Sequence, residues 1–295
     1  MFESLNGMST GFRTMEYNWR DVALYALAIG AEEDDLPFTY EKDMKVIPTF
    51  GVLPVFSNIN ILPEQPSAYS AFFLARDLMA RELGRQVPNG LHMWHEITIE
   101  RPMDPISGKM IYEQRIKGSY PWKGKGVITE LEIPVYDEAG RLLCMNRSTA
   151  ATRISGLIED DTKPPVTKVS FPDREPDLTS DSLITRTQNM LYRLTGDTTP
   201  AHADPEVARE QFQSEVFMHG LCTYGFACRM AIKAVLGFSS EKVTRFAAQM
   251  RAMVFPGTPI RILIWKTSDT SAVFKLINPE TGTVLLDHGA LEWKQ

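Results

Sequence analysis

The same order of local patterns occurs twice along this 295-residue chain: helix-like periodicity first, then four strand-like runs joined by short turns. In the first half, Asn18 to Ala31 sets Val22, Tyr25, Leu27 and Ile29 among alanines and stops at Gly30. Tyr69 to Gly84 then places Phe72, Phe73, Leu74, Leu78, Met79 and Leu83 at the 3.6-residue spacing of a helix. Runs of strand character follow at Leu91–Glu100, Met110–Gly118, Gly126–Tyr136 and Arg141–Arg153, with turn chemistry at 105–108 and 137–140. The second half restarts with a short helix at Thr187–Leu194, and Asp204-Pro205 supplies an N-cap and first-turn pair for another through Phe212. His219 to Leu236 is apolar on most sides, the mark of a buried helix. Strand runs come next at Val243–Phe255, Ile260–Lys266, Ala272–Ile277 and Thr283–Trp293. In the first of them Ala248, Met250, Ala252 and Val254 alternate with Gln249 and Arg251. The expected class is α+β, two repeats of a buried helix wrapped by an antiparallel β-sheet.

Residues 156–182 are polar and aperiodic, so the chain divides into 1–157, a linker at 158–182, and 183–295. Residues 1–16 are expected to form a loosely attached arm, and 47–66, with four prolines, a loop with short extended pieces. The acidic cluster 32–35 reads as a solvated surface, and Gly225 inside the long helix predicts a close approach to its backbone. His92 and His95 lie in one strand, where period-2 alternation sends their side chains to opposite faces and argues against a shared metal.

The chemistry concentrates in Tyr192-Arg-Leu-Thr-Gly-Asp-Thr-Thr-Pro-Ala-His202 and His219-Gly-Leu-Cys-Thr-Tyr-Gly-Phe226. Asp197 and His202 sit on a segment bent by Gly196 and Pro200, and Gly220 opens the buried helix. A carboxylate beside an imidazole performs acid–base chemistry, and the free N–H groups at a helix start hold a developing oxyanion. The matching position in the first half is Ala31, after Leu24-Tyr-Ala-Leu27 and Gly30, with no Pro-x-His behind it. One half therefore carries the acid–base pair and the other does not.

These two motifs resemble the (R)-specific enoyl-CoA hydratases of the MaoC-like, hotdog-fold superfamily, in particular its two-hotdog hydratase 2 branch. Arg20 to Ala31 and Val243 to Gly257 are similar to other segments of that branch. The resemblance implies a double hotdog and reversible hydration of trans-2-enoyl-CoA to (3R)-3-hydroxyacyl-CoA. It implies that Asp197 and His202 activate a water and that the Gly220 N–H binds the thioester oxygen. Thr199, Leu221 and Arg251 are the expected substrate-binding residues, with Arg229 and Lys233 further candidates for CoA phosphates. The first half would accommodate the acyl tail. The branch carries Asn where this chain has Thr199, in Gly-Asp-x-Asn-Pro; Thr keeps a hydroxyl but lacks the second donor. Tyr192 is expected to be core, and His219 to cap or pack.

A net charge of −6 and a 23% charged fraction give no basic excess for nucleic acid. No uncharged apolar run approaches the ~18 residues of a membrane span. Three cysteines without a metal or redox spacing favour reduced thiols and a cytoplasmic location. No cofactor or metal is expected, CoA being part of the substrate, and a homodimer is expected. The alternatives to a hydratase are a non-catalytic acyl-CoA-binding or partner hotdog subunit, to which Thr199 points, and a hotdog thioesterase.

Overall fold

The computed structural model describes residues 2–56, 70–156 and 166–295. The first half runs β1 (Ser9–Asn18), α1 (Trp19–Ala28), a single helical turn α2 (Leu36–Thr39), a 3-10 segment Pro48–Val55, α3 (Ala71–Leu83), β2 (Leu91–Ile99), β3 (Ser107–Trp122), β4 (Gly126–Tyr136) and β5 (Leu142–Arg153). The second runs β6 (Leu178–Leu183), α4 (Gln188–Arg193), a 3-10 turn Pro200–His202, α5 (Pro205–Phe212), α6 (Gly220–Leu236), β7 (Val243–Met250), β8 (Pro259–Ser268), β9 (Ser271–Ile277) and β10 (Val284–Trp293). No helix among the described residues is long and apolar enough to cross a membrane.

The ten strands among the described residues form one antiparallel sheet, in the order β1-β3-β4-β5-β2-β7-β10-β9-β8-β6. Each half contributes five neighbouring strands, and the order in one half mirrors the other about the β2–β7 seam. This is the double hotdog plan. The seam pairs Trp94 with Gln249, Glu96 with Ala247 and Thr98 with Arg245. Across it the Arg245 Nε–H donates to Glu96 Oε2 at 2.6 Å, while Nη1–H donates to Glu292 Oε1 at 2.8 Å.

Local chemistry accounts for the helix ends. Asn18 accepts from the Arg20 N–H at 2.9 Å and Asp21 accepts from the Asn18 N–H at 2.8 Å, a reciprocal cap on α1. Asp204 accepts from the Glu206 and Val207 N–H groups at the start of α5, as its place before Pro205 predicts. The long helix α6 is buried from Leu221 to Ile232, without a break. Its Gly225 fits because a Cβ there would lie 2.5 Å from the Ile29 methyl at the end of α1, the close approach expected from the sequence.

Several expectations give way. The N-terminal residues are anchored, not loose: Phe2 and Leu5 are buried and β1 pairs with β3. Pro48–Val55 is a helical 3-10 segment with every residue buried, because proline can open such a turn while the apolar string Phe50, Val52, Leu53 and Val55 seeks the core; residues 57–66 of the expected loop lie outside the described residues. In α3 only Ala71, Ala75 and Met79 are buried, a single i, i+4, i+8 stripe, so among the described residues the fully buried helix is the second half's α6. Of the 156–182 stretch, 157–165 lies outside the described residues, and 178–183 is a strand whose alternating exposure gave no apolar run to detect. That strand, β6, pairs with β8 along its whole length.

The acidic cluster is only partly a solvated face. Asp35 is completely buried and pairs through Oδ2 with Arg229 Nη1 at 2.6 Å; Arg229 itself is 1% exposed. The guanidinium also donates to Ile29 O at 3.1 Å and Ser182 Oγ at 3.2 Å. Lys233 joins the same cluster, 2.6 Å from Asp34 and 3.1 Å from Asp35. Both side chains fasten α6 to the segment after α1, and the burial of Arg229 removes it as a phosphate ligand.

Candidate active site

The segment after α4 is shaped residue by residue. Gly196 takes φ 119°, a conformation that favours glycine, and turns the chain so that Asp197 enters the protein at 8% exposure. One carboxylate oxygen, Oδ1, accepts from both the Thr199 N–H at 3.1 Å and the Thr199 hydroxyl at 2.6 Å. Pro200 opens the 3-10 turn that ends in His202, and the Asn189 amide donates to the His202 carbonyl at 2.8 Å. The His202 ring is oriented from the other side: its Nδ1–H donates to Phe217 O at 2.9 Å. A carbonyl can only accept, so this contact fixes the tautomer and leaves Nε2 as a bare acceptor.

His219 packs at the start of α6, as expected, and forms no side-chain cap. Its ring lies 4.0 Å from that of His202 and 4.9 Å from the buried Tyr192 ring, and its Nε2–H donates to Asp197 O at 3.1 Å. Burial pushes the His202 pKa down, opposed by the nearby Asp197 charge and the Phe217 carbonyl. The His219 pKa falls to about 3, chiefly through burial and then the neighbouring His202. Both rings are neutral at pH 7.

This neutrality has a consequence for stability. An imidazole with a depressed folded pKa favours the folded state above the unfolded value of about 6.5, and that advantage is lost as pH falls below it. For His219 the loss extends down to about 3, and for His92, lowered to about 4 mainly by burial, down to about 4. Stability should therefore fall between pH 7 and pH 5, with a slope of up to about 1.4 kcal/mol per pH unit for each such ring. Thermal unfolding midpoints measured across that range test this; a flat profile contradicts it.

The third part of the site is the start of α6. The first N–H of that helix with a partner belongs to Cys222, donating to His219 O at 3.1 Å. The N–H groups of Gly220 and Leu221 have none among the described residues, so they can serve an oxygen atom, assisted by the helix dipole. A Cβ built on Gly220 would meet nothing closer than 3.7 Å, from His92 Cβ, His92 Nδ1 and Met250 Cγ. The helix start thus lies beside a residue of the first half, with about the room of one methyl group between them. Leu221 is 3% exposed and belongs to the core, and the Arg251 side chain is exposed, one residue beyond Met250.

His92 was visible in the sequence only as half of a rejected metal pair. The alternation argument fails here because the pairing of β2 with β5 shifts register between His92 and Trp94. This bulge turns both imidazoles to one side, with ring centroids 5.5 Å apart. Among the described residues no group of three His, Cys, Asp or Glu side chains could hold a metal ion. A separate cleft of about 450 Å³, lined by Met44, Val46, Ile99, Met103 and Ser240 among others, carries a Lys45–Glu241 ion pair at 3.2 Å. None of the acid–base residues lines it.

Comparison with known proteins agrees with both halves. Residues 15–153 match the MFE-2 hydratase 2 N-terminal domain family, and residues 167–288 match the MaoC like domain family. The chain is 33% identical over 270 residues to the peroxisomal enoyl-CoA hydratase 2 of Arabidopsis thaliana, spanning 84% of this chain and 82% of that one. It is 30% identical over 309 residues to 3-hydroxyacyl-thioester dehydratase Y of Mycobacterium tuberculosis, spanning 98% and 97%. The crystal structure of a MaoC-like dehydratase from Phytophthora capsici superposes with a TM-score of 0.78 at 27% identity, covering 99% of this chain and 96% of that one.

Proposed function

The chain belongs to the MaoC-like family of hydratase 2 type, and on that basis we propose that it is an enzyme adding water reversibly across the double bond of a trans-2-enoyl-CoA. The observation that carries this reading is the joint geometry of Asp197 and His202. Each has one atom engaged, Asp197 Oδ1 accepting from Thr199 and His202 Nδ1–H donating to Phe217 O, and one acceptor left over. Two leftover acceptors suit the two hydrogens of one water. As the water oxygen bonds to C3, one of its protons passes to the acid–imidazole pair. The C2=C3 π electrons move toward the thioester oxygen, which the Gly220 N–H at the start of α6 stabilises. A proton from the pair then reaches C2, giving the 3-hydroxyacyl thioester; the reverse sequence is the dehydration. No external oxidant, metal or cofactor enters the atom balance.

Support for the (3R) configuration comes from the motif resemblance, and the expected tail-accommodating half is 1–157. The three cysteines are buried and unpaired, in keeping with the reducing cytoplasm expected from sequence; a homodimer is checked by the mass in solution. Thr199 was the one support for a retired binder, and its hydroxyl is engaged with the acid it would have to position, which favours the enzyme.

The configuration at C3 of the product, together with thiol release, tests the reading. The expected outcome is a (3R)-hydroxyacyl-CoA with no free CoA. A (3S) product would contradict the stereochemical assignment, and free CoA without hydration would show a thioesterase. Thr199→Val removes one of two hydrogen bonds to Asp197 and should lower kcat on the order of tenfold, the scale of one charge-assisted hydrogen bond. Thr199→Asn should preserve or raise it. A Thr199→Val enzyme with wild-type kcat would show that the hydroxyl carries no chemistry.

A further inference from the structure

The cleft beyond the far end of α6 is built from both halves of the chain. The helix spans 17 residues, so at 1.5 Å of rise per residue its last turn lies roughly 25 Å from the N–H groups that open it. Past Leu236 the chain bends at Gly237 and enters a 3-10 turn, Ser240–Lys242, that leads into β7. Ser240 and Glu241 of that turn form one side of the cleft, and Met44, Val46, Ile99 and Met103 of the first half face them. Its volume of about 450 Å³ lies within the ~300–1,000 Å³ typical of small-molecule sites.

One polar group in this lining is unsatisfied. Ser240 is 3% exposed, and its backbone is fully used: the N–H donates to Phe238 O at 2.8 Å and the carbonyl accepts from the Val243 N–H. Its hydroxyl has no hydrogen-bond partner among the described residues. A serine hydroxyl can donate one hydrogen bond and accept two, and leaving all of them unmade in a buried position is unfavourable. A ligand oxygen in the cleft would relieve this. The surrounding walls are apolar, and their two methionines, flexible and polarizable, adapt to the outline of an aliphatic body.

Charge at the solvent side selects among ligands. Lys45 and Glu241, one from each half, neutralise each other at 3.2 Å, and Asp43 adds a further carboxylate. The mouth is net negative and repels carboxylates and phosphates. We propose that the cleft is a second binding site, for a small neutral amphiphile: an aliphatic chain carrying one hydroxyl or carbonyl oxygen that bonds to Ser240 Oγ. This site is separate from the acid–base bend and does not depend on the hydratase reading.

Titration calorimetry of the full chain with 1-octanol, and with octanoate as its charged counterpart, is the test. 1-Octanol should bind saturably at one site per chain, at least about tenfold more tightly than octanoate. Ser240→Ala should weaken 1-octanol about fivefold, the scale of one hydrogen bond between neutral groups, without changing the hydration rate. Met103→Trp, which fills the cleft, should abolish binding; Val46→Phe gives the same reading if the tryptophan variant does not fold. A saturating, equilibrated mixture of crotonyl-CoA and 3-hydroxybutyryl-CoA should leave the octanol Kd unchanged, because the acid–base bend lies at the other end of α6. The assignment is overturned by the absence of saturable binding, by octanoate binding as tightly as 1-octanol, or by displacement with the thioesters. An affinity that Ser240→Ala leaves intact, or that survives filling of the cleft, overturns it as well.

Discussion

Asp197→Asn should lower the hydration rate by about 10²-fold or more, the typical contribution of a positioned general acid–base group. The amide is nearly isosteric with the carboxylate, so the Thr199 N–H and hydroxyl can still donate to its oxygen and the segment should keep its shape. What disappears is the charge and one acceptor, because the free oxygen becomes an NH₂ donor. His202→Ala should cost a similar factor for a different reason, removing the Nε2 acceptor that the Phe217 contact leaves exposed. The double variant should be no more than slightly worse than either single one, since two groups that hold one water act as a unit. Rates under saturating substrate, with circular dichroism to confirm folding, check this. Additive losses, multiplying to 10⁴-fold, would show that the two residues act at separate steps.

The largest effect on stability is expected at Asp35. Its carboxylate is fully buried against Arg229, which is 1% exposed and sits in the middle of α6. Removing one member of a buried pair leaves the other charged and desolvated, at a typical cost of about 3–5 kcal/mol. Asp35→Ala should therefore lower the melting temperature by roughly 10 °C. Lys233, also within 3.1 Å of Asp35, cannot take over, since it is itself a cation. Replacing both partners, Asp35→Leu with Arg229→Met, should recover much of the loss, because an apolar pair needs no charge compensation. A single Asp35→Ala variant as stable as wild type would show that the pair contributes little to joining the halves.

The Asp197–His202 bend, the start of α6 and eight of the ten described strands were legible in the sequence because they are local. Asp197, Pro200 and His202 lie on one bend, and the strands of each meander are bounded by turns that announce themselves. The Gly225 contact was legible as well, since a mid-helix glycine that costs stability implies a neighbour; Ile29 is that neighbour. What escaped was long-range. Nothing around Asp35 distinguishes it from Glu33 or Asp34; only the arrival of Arg229, 194 positions later, makes it a buried ion-pair partner. His92 was hidden by a bulge, which shifts register without any proline or glycine between His92 and Trp94 to signal it. The strand β6 alternates between partly buried and exposed positions and so lacks the apolar run that reveals its neighbours.

The central claim is that the Asp197–His202 bend and the start of α6 form a site that hydrates enoyl thioesters. The loss of conjugated-thioester absorbance from a trans-2-enoyl-CoA, followed for wild type and Asp197→Asn at equal enzyme concentration, tests it most directly. The predicted result is rapid loss with wild type toward an equilibrium that the 3-hydroxyacyl-CoA reaches from the other side, and a rate at least 10²-fold lower with the variant. Wild type that leaves the absorbance unchanged, or an Asp197→Asn variant that matches it, would contradict the claim.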